Sequence, residues 1–340
     1  KGCMKILLVS DAWKPQVNGV VTTLENLEKE LSLNNEVKII EPNSFVSVPI
    51  PFYKEIKLSL NVFKIKKTIK DFRPDLIHIA TEGPLGLYAR KVCLGKKLNF
   101  STSYHTNFPL YLKKMLGIPV QFTHRFEKWF HNAANVTFVN TPSHKKELEE
   151  IGIKKLALWS RGIDESIFFP TPNDKNNSYY LYVGRVSKEK NIESFLNLEL
   201  DKKKVVVGDG PSLKSLKKKY PDVEFLGYKF GKELAEIYSN ACVKVFPSRT
   251  DTFGIVMIEA NACGTPVAGY PVTGPIDVVK NGVNGYLDND LKQAIEQAQK
   301  VDPKSCIAYS KKYSWDDVAS NFISTINNMH EFSNPLNVVK

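Results

Sequence analysis

Ser248-Arg249-Thr250-Asp251-Thr252-Phe253-Gly254-Ile255-Val256-Met257-Ile258-Glu259 places two carboxylates, with seven residues between them, on either side of a Phe-Gly pair. The apolar run Val243 to Phe246 before it reads as a strand and the residues after Gly254 as a helix. Asp251 then lies in the loop at the helix mouth, and Glu259 about one turn inside. Carboxylates accept hydrogen bonds from sugar or ribose hydroxyls, and the first amides of a helix, near Gly254 and Ile255, suit a phosphate. The same pattern also fits an Asp N-cap followed by a buried helical Glu with a partner.

The strand, loop and helix of this stretch recur along the chain, and short β-rich runs alternating with helical patterns predict parallel sheets with crossover helices. Candidate strands in the first half are Lys5 to Ser10, Val37 to Ile40, Asp75 to Ala80, Phe100 to Tyr104, Val136 to Asn140 and Leu156 to Trp159. Thr171 to Ser178 is polar and aperiodic and reads as a linker. The alternation resumes with Tyr179 to Val183, Val205 to Val207, Val223 to Leu226, Val243 to Phe246 and Pro266 to Ala268. A last helical stretch runs from Trp315 to Asn328. The expected fold is α/β, with two doubly wound domains. The first takes residues 1–170 and the second 171–312, with a terminal helix in 313–340 crossing back to the first.

Length and composition agree. The 340 residues, with 42% hydrophobic and 24% charged, can bury two cores and exclude a disordered chain. No apolar run is long enough for a bilayer span, and the start of the sequence carries no cleavable apolar region, so a cytosolic or peripheral protein is expected. Five cysteines, odd in number and never in CxxC spacing, indicate neither a disulfide framework nor a zinc site.

In doubly wound sheets ligands bind beyond the carboxyl ends of the strands, so the residues there are the candidates for chemistry. They include Asp11 and the loop holding Asn18-Gly19, then Thr81-Glu82-Gly83 and His105-Thr106-Asn107. In the second half they include Gly184-Arg185, Gly208-Asp209-Gly210 and Asp251 to Gly254. Gly19, before a helix starting near Thr22, lets a phosphate approach a helix amino end. Arg185 and Lys190 share one strand-to-helix loop. Two fixed cations there suit a diphosphate and can stabilise a departing nucleoside diphosphate where other enzymes use a metal, although a solvated loop is the commoner fate of such a pair. His105 is a candidate proton handler or hydroxyl ligand. His78, inside an apolar run, reads as structural, and His124 and His131 as helix-surface residues. Asp288-Asn289-Asp290 has metal-bridging spacing but reads better as a turn and N-cap. Neither GxGxxG nor GxxxxGK followed by Ser or Thr is present, which weakens dehydrogenase and P-loop readings.

Of the formal charge of +11, +9 falls in the first 165 residues. Lys57, Lys64, Lys66, Lys67 and Lys70 surround Leu58, Leu60, Phe63, Ile65 and Ile69, and Lys113 and Lys114 sit among Tyr111, Leu112, Met115 and Leu116. These clusters are solvated helix faces or a face for an anionic membrane, where each nearby cation contributes roughly 1 kcal/mol. No helix-turn-helix, RNA-recognition or zinc-finger signature accompanies them, and no nucleic-acid partner is expected.

Together, Asn18-Gly19, Arg161-Gly162-Ile163-Asp164, Gly184-Arg185 with Glu189-Lys190-Asn191, Gly208-Asp209-Gly210-Pro211, and Asp251-Thr252-Phe253-Gly254 with Glu259-Ala260 resemble the GT-B glycosyltransferases of family 4. The likeness covers nearly the whole chain. One departure is Asp251, where the family usually carries Glu. The resemblance implies two Rossmann-like domains facing across a cleft, the first for the acceptor and the second for a nucleotide-sugar. It also implies retention of anomeric configuration without a metal or other cofactor. By motif position, Arg185 and Lys190 would hold the diphosphate beside Gly184, with the amides of Gly19 closing over it. Glu259 would bind the ribose, and Asp251 with the backbone of Phe253, Gly254 and Ile255 the sugar. His105 would sit beside the transferred sugar, with Glu82 and Asn107 toward the acceptor, and Gly227 to Phe230 would border the base.

Thr81 to Gly86, Ser103 to Phe108 and Gly269 to Pro275 look like the members that glycosylate diacylglycerol or make related mannosyl and sulfoquinovosyl glycolipids. The expected activity is transfer of glucose or glucuronate from a UDP-sugar to diacylglycerol, by an enzyme peripheral on the inner face of the cell membrane. GDP-mannose-dependent mannosyl transfer is the alternative, and a non-catalytic sugar-nucleotide-binding membrane protein a remote one.

Overall fold

The computed structural model describes residues 3–50, 53–105, 120–172 and 178–332. The chain forms two compact units, 1–160 with 315–340, and 161–314. Arg161 to Pro170, placed by sequence with the first domain, belongs to the second unit. The reason is local: Ile163 bridges to Ser314, and its amide donates to the Tyr313 carbonyl at 3.1 Å.

In the first unit, strands β1 (Lys5–Val9), β2 (Glu36–Ile40), β5 (Leu76–Ile79), β6 (Ser101–Tyr104), β7 (Val136–Val139) and β8 (Leu156–Leu158) form a parallel sheet of order β2-β1-β5-β6-β7-β8. β3 (Ser47–Ile50) and β4 (Tyr53–Ser59) pair antiparallel as a separate ribbon that the sequence reading lacks. The helices are α1 (Gly19–Ser32), α2 (Lys64–Phe72), α3 (Pro84–Lys96), α4 (Val120–His131) and α5 (Pro142–Glu150). All four residues of β5, β6 and β7 are buried, as a sheet covered on both faces requires. The last helix, Trp315–Phe332, belongs to this unit. Phe322 stacks on Phe138 at 5.0 Å between ring centroids and lies 5.4 Å from Trp159 and 5.0 Å from His78.

The second unit repeats the plan with β9 (Tyr179–Val183), β10 (Lys204–Val207), β11 (Glu224–Gly227), β12 (Ala241–Phe246), β13 (Val267–Gly269) and β14 (Gly285–Leu287), ordered β11-β10-β9-β12-β13-β14. Its principal helices are α6 (Leu213–Lys219), α7 (Gly231–Asn240), α8 (Ile255–Ala262), α9 (Leu291–Ala298) and α10 (Pro303–Ser310). β14, three residues long, is also absent from the sequence reading. Strand order reverses between β9 and β12, the point at which doubly wound sheets take ligands beyond the carboxyl ends of their strands. Arg185 follows the first of these strands and Asp251 the second.

Candidate active site

The loops after β9 and β12 are tied together. Asn191 Nδ2 donates to the Pro247 carbonyl at 3.0 Å, and Lys190 Nζ meets Asp251 Oδ1 at 2.5 Å. Burial alone would raise the Asp251 carboxyl, but Lys190 beside it brings it below the ordinary carboxylate range. Asp251 is thus an ion-pair partner. The N-cap position of α8 falls to Gly254, at φ 81° and without a side-chain cap. A Cβ at Gly254 would approach Phe246 Cζ to 2.7 Å, so this position excludes side chains twice over. The Phe253 side chain is buried edge-on to Tyr313, 5.9 Å between centroids, leaving its backbone for any ligand.

Glu259 is buried one turn inside α8 and accepts from the Tyr238 hydroxyl at 2.9 Å. Burial pushes its carboxyl up to about 7, against the smaller opposing effects of Tyr238 and Lys244. The Arg185 carbonyl accepts from the Tyr182 hydroxyl at 2.8 Å, which fixes the backbone where Arg185 leaves the sheet. Gly208, at φ 130°, lets the next strand end pack onto this loop, since a Cβ there would meet the Gly184 carbonyl oxygen at 1.9 Å. Gly227 ends β11, and Tyr228 and Phe230 beyond it are exposed and stacked 5.8 Å apart. Gly184, Arg185, Lys190, Asp251, Phe253, Gly254 and Ile255 therefore lie in the two joined loops after β9 and β12, with Glu259 one turn into α8 and Gly227 at the carboxyl end of β11. Sequence reasoning missed Lys244, wholly buried in β12 beneath them. Its signal was a lysine inside the apolar run Ala241 to Phe246.

In the first unit the strand ends carry a second set. α1 begins at Gly19 rather than near Thr22, because Asn18 caps it: Asn18 Oδ1 accepts from the amides of Val20 and Val21 at 3.1 and 3.0 Å. Nothing lies within 4 Å of a Cβ built at Gly19. Asp11 is spent on structure. It accepts from the Leu85 and Gly86 amides at the start of α3 and from the Thr81 hydroxyl, while burial pushes its carboxyl up to about 6. Glu82 Oε1 lies 3.0 Å from His131 Nε2, and His131 Nδ1 lies 2.9 Å from the Thr102 hydroxyl. His131 is buried, which corrects its reading as a helix-surface residue: it is the inward-facing end of α4 and orients Glu82. His78 is structural, held between the hydroxyls of Ser101 and Ser103 and lowered by burial to about 3. His105 Nε2 sits 2.6 Å from the Ser103 hydroxyl at the end of β6. Asn107, Lys113 and Lys114 lie outside the described residues.

On α2, Lys64, Lys66, Lys67 and Lys70 are exposed, as are Phe63 (66%) and Leu60 (54%) in the segment just before it, but Ile65 and Ile69 face the core. That corrects the apolar part of the basic cluster to Leu60 and Phe63; the side chains of Lys57 and Leu58 are outside the description. Among the described residues no group of three or more His, Cys, Asp or Glu is placed to hold a metal, and no helix is long and apolar enough to cross a membrane. Asp288 Oδ1 accepts from the Asp290 amide and Asp290 caps α9, a turn and N-cap.

Comparison with known proteins accounts for both units. Residues 17–167 match Glycosyltransferase Family 4, and residues 163–303 match Glycosyl transferases group 1. A GDP-mannose-dependent alpha-mannosyltransferase of Corynebacterium glutamicum is 27% identical over 87% of this chain and 79% of its own length. An alpha-monoglucosyldiacylglycerol synthase of Streptococcus pneumoniae is 27% identical over 97% of this chain and 85% of its own. In fold the chain is similar to a sucrose-phosphate synthase of Thermosynechococcus elongatus, with a TM-score of 0.78 at 20% identity over 96% of this chain and 99% of that one. The two family matches fall on the two doubly wound units and together span most of the sequence, so this chain belongs to the GT-B glycosyltransferases, with a family 4 amino-terminal and a group 1 carboxyl-terminal domain.

Proposed function

We propose that this glycosyltransferase moves a hexose, glucose or glucuronate, from a UDP-sugar to diacylglycerol, working as a peripheral enzyme on the inner face of the cell membrane. The observation that carries the lipid acceptor is the face of α2, where four exposed lysines stand beside exposed Phe63 and Leu60 in the unit assigned to the acceptor. Cations of this kind dock on anionic headgroups while aromatic and aliphatic side chains enter the interface. The similarity to a monoglucosyldiacylglycerol synthase supports the same acceptor.

In this reading Arg185 and Lys190 hold the donor diphosphate and stabilise the charge that develops on it as the glycosidic bond breaks. They do this without a metal or other cofactor. Gly184 and Gly19 offer backbone to the phosphates, with the Asn18 cap fixing the start of α1. Glu259 accepts from the ribose hydroxyls. Asp251, with the backbone of Phe253, Gly254 and Ile255, holds the hydroxyls of the sugar, and Gly227 borders the base. His105 lies beside the transferred sugar, and Glu82, held by His131, serves the acceptor hydroxyl; Asn107, outside the described residues, is assigned to the acceptor by motif position alone. The free protein keeps Lys190 on Asp251, so donor binding exchanges that ion pair for one with the diphosphate. In this reading the transfer retains the anomeric configuration, as the resemblance implies.

The second reading, transfer of mannose from GDP-mannose to a lipid or glycan, is favoured by the similarity to the Corynebacterium enzyme. One assay separates them: UDP-glucose, UDP-glucuronate, UDP-galactose and GDP-mannose are each offered with diacylglycerol in anionic liposomes, and products are read by mass spectrometry. A hexosyl-diacylglycerol from a UDP-sugar is expected. Product from GDP-mannose alone would select the second reading, and no transfer from any donor would sink the lipid hypothesis.

A further inference from the structure

His78 and His131 are both buried in the first unit, and they are held in different ways. His78 lies between the hydroxyls of Ser101 and Ser103. His131, the last residue of α4, spends one nitrogen on a carboxylate from another element: its Nε2 lies 3.0 Å from Glu82 Oε1, in the loop after β5. The Glu82 side chain keeps 16% of its surface exposed, and among the described residues no hydrogen bond engages its second oxygen. Two rings confine the imidazole, Phe130 edge-on at 5.1 Å between centroids and Tyr104 at 5.4 Å. The Tyr104 hydroxyl itself goes to Glu127 at 2.5 Å, so the two acids near His131 have separate donors. The Glu82 loop is fixed as well, since Thr81 donates its hydroxyl to Asp11 and accepts from the Asp11 amide. Behind His131 stand two more buried hydroxyls: Thr102 Oγ1 lies 2.9 Å from Nδ1 and 2.8 Å from Thr137 Oγ1. A carboxylate only accepts, so Nε2 carries a proton toward Glu82. Nδ1 is then the acceptor, filled by the Thr102 hydroxyl, and Thr137 donates to Thr102 in turn. The opposite order would set a bare Nε2 against the carboxylate and leave Thr137 with the His131 carbonyl at 3.5 Å.

We propose that Thr102 and His131 are positioning residues of the acceptor site: the buried hydroxyl fixes the Nε2–H tautomer of His131, which holds one oxygen of Glu82 and leaves the other for the acceptor hydroxyl. The proposal rests on the reading of Glu82 as an acceptor ligand. A glutamate on a loop must be ordered before it can hold a substrate hydroxyl, and that ordering costs affinity when it happens on binding. Here the cost is met in the free protein by a hydrogen bond to a charged group, from a ring whose own proton is placed by the chain of hydroxyls behind it.

The first test is heteronuclear NMR of the histidine rings in the full chain at neutral pH, with the His131 signals identified by their absence from His131→Gln. A proton on Nε2 and none on Nδ1 is expected. The second test is kinetics with diacylglycerol in anionic liposomes, each of UDP-glucose, UDP-glucuronate, UDP-galactose and GDP-mannose being offered as donor. His131→Gln, whose amide nitrogen falls where Nε2 does, should keep kcat/KM for diacylglycerol within about threefold of wild type. His131→Asn, whose amide reaches only Thr102, should lower it about tenfold or more, the worth of a hydrogen bond to a charged group. The KM for the donor and binding to the vesicles should not change. Thr102→Val, of the same shape, should lower it severalfold and leave His131 with a mixture of tautomers. If His131→Asn does not fold, Thr102→Val and the wild-type spectrum decide. A proton on Nδ1 of wild-type His131 would overturn the inference without any variant. His131→Gln as weak as His131→Asn would reduce His131 to a structural role and overturn it too. Wild-type kinetics for His131→Asn and Thr102→Val, with Glu82→Ala impaired, would overturn it and leave Glu82 in the acceptor site. Wild-type kinetics for Glu82→Ala, or no transfer to diacylglycerol from any donor, would instead remove the acceptor reading and this inference with it.

Discussion

Glu259 shows how a buried carboxyl acts against stability. Its carboxyl moves from an ordinary value of 4.5 in the open chain to about 7 in the fold, chiefly through burial. Between those values the unfolded chain gives up the proton while the folded chain keeps it, so stability falls as pH rises and the full penalty is present above 7. The shift corresponds to about 3 kcal/mol. Glu259→Gln keeps an acceptor for the Tyr238 hydroxyl and removes the ionisation. Its melting temperature should exceed that of wild type at pH 8 and match it at pH 4, while nucleotide affinity falls about tenfold for want of the carboxylate. Equal melting temperatures at pH 8 would show that the burial of Glu259 is not costly. At this scale Glu259 and Asp251 were legible from their spacing around Phe253-Gly254. Lys244 was not, because Val243-Lys244-Val245 imitates the alternation of a strand with one wet face. Only its place in the middle of the sheet shows that both faces of β12 are covered.

At the scale of elements, α2 divides its residues cleanly: Ile65, Ile69 and Phe72 pack inward, and the lysines face out. Because Lys64, Lys66 and Lys67 are exposed, changing all three to Glu should leave the fold intact while removing roughly 3 kcal/mol of attraction to an anionic surface, with added repulsion. Sedimentation with anionic vesicles should show binding reduced at least a hundredfold, and wild-type binding should itself weaken as salt is added. Vesicle binding unchanged by the triple substitution would refute the α2 face as the docking surface. The parallel strands were readable because buried strands are continuous apolar runs bounded by turn residues. Two elements escaped for different reasons. Gly285–Leu287 is too short to show a period and exists through its register with Val267–Gly269. The ribbon β3/β4 alternates only from Glu55 to Ser59, and its other strand contains Pro49, which lacks a ladder donor.

For the whole molecule, the family could be seen from combined motifs, while the domain limits depended on which residues pair across 150 positions of sequence, as Ile163 does with Ser314. The last helix makes the same point, since its aromatic contacts complete a core begun more than two hundred residues earlier. Phe322→Ala, which empties a fully buried position against Phe138, Trp159 and His78, should destabilise the first unit by about 3–5 kcal/mol. Denaturation followed by probes in each unit should then show the first transition shifted and the second in place. Movement of both together would mean that the units unfold as one.

The discontinuity of the first unit also sets an order of birth. Residues 161–314 are contiguous, so the second unit has all its strands as soon as it clears the ribosome. The first unit, though synthesised earlier, must hold Phe138 and Trp159 without their closing partner until Phe322 arrives. At translation rates of about 5–20 residues per second, that wait lasts roughly 8 to 30 seconds. During this interval the nascent first unit presents an open aromatic face, on the side of its sheet opposite α2, and that face has its longest exposure to chaperones before the chain is complete.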